Sequence, residues 1–189
     1  MKRKLMAATL AVSMAASMAV PAVSFAEEAT TEAAVEATAE TPAVKRAILD
    51  TDMSYLNDDA IVMFMLAQAD SLGECDFLGV TTVGGNTFCA PGTTAALRQL
   101  ELIGRSDIPV YMGTDIPLMG FRNMEAESQI WGMPEYSGAY WDWNEKTFGD
   151  VTKRPTDYKN LPSEPKYGYA ETEAQDEHAI DFIIEQVHK

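Results

Sequence analysis

From Arg46 onward, short apolar runs alternate with longer segments of helical spacing. Arg46–Asp50 (RAILD) predicts a strand that ends in acids. Asn57 can cap a helix that opens on Asp58 and Asp59 and continues through the apolar run 60–67 (AIVMFMLA). Acids in the first turn suit the positive end of a helix dipole, and a run without a polar face predicts a buried helix. Residues 76–83 (DFLGVTTV) predict a second strand, broken by Gly84-Gly85-Asn86. A helix is expected over 91–103, with Gly104 just past its end, and Ile108–Met112 reads as a third strand. Strands that are apolar throughout, alternating with helices, predict an α/β fold: an open, mostly parallel, Rossmann-like sheet covered by helices on both faces.

The pattern is lost from Gly113 to about Thr172, a stretch holding all three Trp and five of the seven Tyr. A structureless loop of this size is rare in a compact domain. The segment is either a packed insertion, the plainer expectation, or a lid over a site. Periodicity returns over Ala174–Lys189, with Ala179, Ile180, Ile183, Ile184 and Val187 on helical spacing. An α/β domain ending on a helix, with no strand after it, reads as truncated.

The N-terminal residues have a different character. Lys2-Arg3-Lys4 is a basic head before the apolar run Leu5–Val20, and Ser24-Phe25-Ala26 is a small-x-small cleavage pattern. Residues 1–26 therefore read as a secretory signal peptide, which places the mature protein outside the cell with no membrane span after cleavage. Residues 27–43 are Ala, Thr and Glu apart from Val35 and Pro42, as expected of a disordered linker. The folded domain is expected over 44–189.

Charge and rare residues narrow the chemistry. The 189-residue chain carries a formal charge of −15, which argues against nucleic acid as a partner. With 2 Cys and 2 His there is neither a disulfide framework nor a His- or Cys-rich metal site, so any metal would have oxygen ligands. Cys75 and Cys89 lie at opposite ends of the second predicted strand, too far apart to bridge, and read as free thiols. His178 and His188 read as surface residues of the last helix.

Asp50, Asp52, Asp58 and Asp59 gather at the carboxyl end of the first predicted strand and the start of the next helix. Open α/β sheets bind ligands along that edge. Carboxylates this close repel one another unless a cation joins them, and an oxygen-only cluster suits Ca²⁺ or Mg²⁺. Helix-start acids in a solvated turn would explain Asp58 and Asp59 but not acids at a strand end.

The segments RAILDTDMSYLNDDA (46–60), LGVTTVGGN (78–86) and IPVYMG (108–113) resemble the inosine–uridine-preferring nucleoside hydrolases, and HAIDFIIEQV (178–187) resembles a later helix of that family. The resemblance implies Ca²⁺-dependent hydrolysis of the N-glycosidic bond of ribonucleosides. It implies Asp52 as calcium ligand and as the base that activates water, and Asp59 as a second calcium ligand. Asp58 would hold ribose hydroxyls and Asn86 would support the acids or the sugar, with Asp50 ordering the loop. The expected partner is a small-molecule nucleoside, and self-association into a homo-oligomer is compatible with this reading. Ser54 and Leu56 stand where a longer variant of the family loop has glycine and another aspartate. Family members continue further and supply more calcium ligands, so this chain is expected to be a fragment with an incomplete site.

Two rivals follow from the same residues. Leu49-Asp-Thr-Asp52 also resembles the nucleophile loop of haloacid-dehalogenase-like phosphatases, with Asp50 as nucleophile. The second rival is a non-catalytic secreted module that binds nucleosides or glycans. It would use Trp131, Tyr136, Tyr140, Trp141 and Trp143, aromatic residues suited to stacking on a base or sugar.

Overall fold

The computed structural model describes residues 44–118, 120, 123–142 and 144–189. The predicted signal peptide, the linker and Trp143 lie outside the described residues. Three parallel strands, β1 (Lys45–Thr51), β2 (Cys75–Thr82) and β3 (Val110–Met112), form one sheet in the order β1-β2-β3. Helix α1 (Asp58–Ser71) joins β1 to β2, and α2 (Cys89–Leu102) joins β2 to β3. The α/β architecture and parallel sheet predicted from the apolar pattern are those observed. Register slips at one point, where Ala47 pairs with Phe77 but Ile48 with Gly79, so Leu78 is skipped and Phe77 and Val80 both join the core.

That core lies between the sheet and the two crossover helices. Met63 and Ala67 of α1, Ala96 and Leu100 of α2, and Phe77, Val80 and Val110 of the sheet are buried together. Successive strand residues face opposite ways, so Tyr111 projects from the other face. There it stacks on Phe182 of α4 (Ala179–Val187), with ring centroids 3.8 Å apart and planes 12° from parallel. Helices thus cover both faces.

Two expectations need correction. Helix α1 is not buried: Ile61 is 59% and Met65 66% exposed, and only Ala60, Met63 and Ala67 are fully covered. One face of the helix meets the sheet, and among the described residues no element packs on the other. The last helix starts at Ala179, not Ala174. His178 caps it by accepting from Ile180 N–H at 3.2 Å, while Gln175 N–H donates to Val110 O at 2.8 Å in a single parallel bridge beside β3, after which the chain bends into the helix.

The described residues of 113–178 hold little regular structure, and few of their side chains are buried. This insertion contains α3 (Met124–Trp131), a two-stranded ribbon of β4 (Trp141–Asp142) and β5 (Thr147–Phe148), and short 3-10 turns at Gly138–Tyr140 and Val151–Lys153. No helix among the described residues is long and apolar enough to cross a membrane.

Candidate functional site

The acid loop follows directly from β1. Asn57 caps α1 as expected, accepting from Ala60 N–H at 3.2 Å. Its amide also donates to Asp59 Oδ2 at 2.6 Å, and Thr51 Oγ1 donates to Asp59 Oδ1 at 2.7 Å. Buried Gln99 of α2 supports the loop from below, donating to Ser54 O and accepting from Leu56 N–H, both at 3.1 Å. Leu56 has φ 41°, a left-handed conformation unfavourable for a branched side chain. The Gln99 bond holds it at that position.

Asp52 and Asp59 are joined through one residue. Asn86 donates its backbone N–H to Asp52 Oδ2 at 2.8 Å, and its side-chain amide lies 3.4 Å from Asp59 Oδ2. Gly85, just before it, is packed so tightly that a Cβ there would collide with the Asp52 carboxylate. The bare α-carbon lets the strand-end loop and the acid loop meet.

Asp58 is exposed, and Asp50 turns elsewhere, its carboxylate accepting from Thr81 Oγ1 at 2.7 Å. Asp50 therefore joins β1 to β2 and does not order the acid loop. A phosphatase nucleophile would need it at the site, and the structure does not place it there.

A further acid escaped the sequence reading. Asp115 follows β3 as Asp52 follows β1, so the strand-end rule that found one could have found the other. It is buried, accepts from Cys89 N–H at the start of α2, and has Arg154 Nε 3.9 Å away. Burial pushes its carboxyl above the ordinary range, against the opposing pull of the Cys89 N–H and Arg154. The thiols of Cys75 and Cys89 are free, and Cys89 is buried. His178 and His188 flank α4 and are exposed.

Asp52 and Asn86 open onto a cavity of about 910 Å³ whose remaining walls come from the insertion. Trp131, Tyr136, Tyr140 and Phe148 supply aromatic surface, while Glu125 and Glu127 add carboxylates. The insertion thus walls the cavity onto which the acid loop opens. Trp141 is not part of this wall, and packs edge-on against Phe148 at 5.6 Å. Asp58 and Asp59 do not line the cavity. Asp52 and Asp59 offer hard carboxylate oxygens of the kind Ca²⁺ or Mg²⁺ takes. Among the described residues no cluster of three or more His, Cys, Asp or Glu side chains forms a metal site.

The class these features define is an α/β protein with a carboxylate site at the carboxyl edge of a parallel sheet, covered by an aromatic insertion. Residues 47–189 match the model of the inosine-uridine preferring nucleoside hydrolases, and the chain belongs to that family. It is 41% identical over 70 residues to a probable uridine nucleosidase of Arabidopsis thaliana, covering 37% of this chain and 20% of the relative. It is 42% identical over 71 residues to a pyrimidine-specific ribonucleoside hydrolase of Shewanella woodyi, covering 38% and 21%. A solved purine-preferring ribonucleoside hydrolase from Gardnerella vaginalis is 26% identical with a TM-score of 0.43, over 77% of this chain and 37% of that one. The matches therefore span well under half the length of these relatives.

Proposed function

We propose that the protein hydrolyses the N-glycosidic bond of ribonucleosides with the help of Ca²⁺, acting outside the cell on free nucleosides. One observation carries this reading: Asp52, tied through Asn86 to Asp59, faces a cavity walled by aromatic side chains. A ribose at Asp52 and Asn86 would direct its base toward Trp131, Tyr136 and Tyr140, whose faces suit a planar heterocycle. As the base leaves, the sugar becomes oxocarbenium-like, and nearby carboxylates stabilise the developing positive charge. Asp52 and Asp59 would hold the Ca²⁺, which lowers the pKa of water when bound. In this reading Asp52 would take the proton from the attacking water, and Asp58, exposed at the start of α1 and outside the cavity lining, would receive ribose hydroxyls only at its rim. Two carboxylates fall short of the six to eight oxygens calcium prefers, so further ligands would be needed, which ribose hydroxyls could supply in part. The extracellular setting rests on the basic head and apolar run at the N-terminus, and N-terminal sequencing of the mature protein should begin at Glu27.

The test is release of reducing sugar from inosine and uridine with Ca²⁺, on this chain and on a version extended to its relatives' length. Asp52→Ala should lower turnover at least about a thousandfold, and chelation should do the same. Full turnover in the chelated protein would overturn the calcium mechanism, and full turnover in the variant would remove Asp52 from it.

A further inference from the structure

The insertion and the acid loop grip the two ends of one peptide group. The carbonyl of Gly85 accepts from Ala139 N–H at 2.9 Å, while the N–H of the same peptide, belonging to Asn86, donates to Asp52 Oδ2 at 2.8 Å. A trans peptide is planar and its C=O and N–H point in opposite directions. Fixing the carbonyl therefore fixes the direction of the N–H. Two more contacts hold the same loop from the same side. Tyr136 Oη donates to Asn86 O at 3.1 Å, and Gly138, at φ 57°, lies so close over the Gly85 carbonyl that a Cβ would collide with it. Tyr140, next along, donates to Asp115 O at 3.2 Å and anchors the strap to the end of β3.

We infer that Tyr136–Tyr140 is a clamp whose Ala139 N–H, with Tyr136 and Gly138, positions the Gly85–Asn86 peptide so that Asn86 holds Asp52 toward the cavity. Its functional meaning rests on the nucleosidase reading, but the contacts do not. The two bonds lie in series through one polarisable amide, so each strengthens the other. Tyr136 and Tyr140 also line the cavity that Asp52 lines. A ligand there touches the clamp and the acid at once, so occupancy and closure of the clamp are linked reciprocally.

Amide hydrogen exchange on the full chain tests this without requiring turnover. Ala139→Pro removes the donor N–H. Exchange at Asn86 should then accelerate about tenfold, the value of one hydrogen bond, while β2 amides stay unchanged. Where the protein binds inosine with Ca²⁺, affinity should weaken by a similar factor, and inosine should slow exchange at Ala139 in the wild type. Ala139→Ser, which keeps the N–H, should restore both properties. Gly138→Ala, which pushes the strap off the Gly85 carbonyl, should repeat the loss if the proline variant fails to fold. Unchanged exchange at Asn86 in a folded Ala139→Pro or Gly138→Ala protein would overturn the clamp. If neither this chain nor its extended version binds inosine but the exchange effect appears, the clamp stands and the nucleosidase reading fails.

Discussion

Residues 45–112 cohere through apolar side chains shared between the sheet and its two crossover helices, with Leu100 and Val110 almost wholly out of water. The chain returning through 158–174 packs Tyr158, Ala170 and Ala174 against the edge of that core and is also held by a row of polar atoms. Thr94, Arg98 and Glu101 form a stripe along α2 at helical spacing. Thr94 Oγ1 donates to Tyr158 O at 2.6 Å and Arg98 Nε to Tyr167 O at 2.9 Å. Glu101 Oε1 accepts from Glu171 N–H and Thr172 N–H at 2.7 Å and from Thr172 Oγ1 at 2.9 Å. One helix thus serves two neighbours, with an apolar face for the sheet and a polar row that fixes an irregular segment by its backbone. A long insertion needs no hydrophobic core of its own when a rigid element holds its main-chain groups in register.

The two modes of attachment should fail differently. Leu100→Ala opens a cavity in the shared core and should cost about 3 kcal/mol, visible as cooperative loss of the whole described domain in thermal unfolding. A cost under about 1 kcal/mol would show that the core relaxes around it. Glu101→Ala removes the acceptor for four donors, Arg98 among them, and should cost about 2 kcal/mol. Its signature should be local, with exchange rising over 171–174 while β2 stays protected. Global loss would mean that the insertion and the core fold as one unit.

Acidification should have the smallest effect and should reach both regions. The Phe77 N–H and then Arg105 hold Asp70 below the ordinary carboxylate range, and Arg105 does the same for Asp107. Glu101 is also lowered, because burial, which raises it, is outweighed by the Thr172 and Arg98 donors and the Glu171 N–H. For groups depressed in the folded state, the stabilisation is complete above the unfolded value near 4 and is lost as pH falls through the lower folded values. The unfolding temperature at pH 3 should therefore lie below that at pH 6, with Asp70→Asn flattening the dependence by about 2–4 °C. Asp115 works in the opposite sense. Its raised carboxyl makes ionisation unfavourable to folding, so its own contribution declines as pH rises through the folded value.

Much of this arrangement was legible in the sequence where side chains carry it. The Asn57 cap, the three strands and the placing of Asp52 and Asn86 at a strand edge follow from residue types, because apolar runs, caps and acids are chemically distinct. The exposure of Ile61 and Met65 was not legible, since an apolar residue does not reveal which of its neighbours will arrive. Nor was the docking of 158–172 on α2. Backbone N–H and C=O groups are the same in every residue except proline, so the receiving segment bears no compositional mark of the stripe that holds it. Ala139 was hidden for the same reason. The last helix begins at Ala179, later than the expected start at Ala174, because the His178 cap and the Val110 bond to Gln175 fix the chain before it.

The bare α-carbons of Gly84 and Gly85 stand back to back under two different carboxylates, Asp115 over the first and Asp52 over the second. A methyl group on either would displace one acid and, through the shared turn, tilt the other. Drift at this dipeptide cannot alter the acid loop while sparing the anchor of its covering strap, or the reverse. In any lineage that keeps both acids, the two positions should change together or not at all.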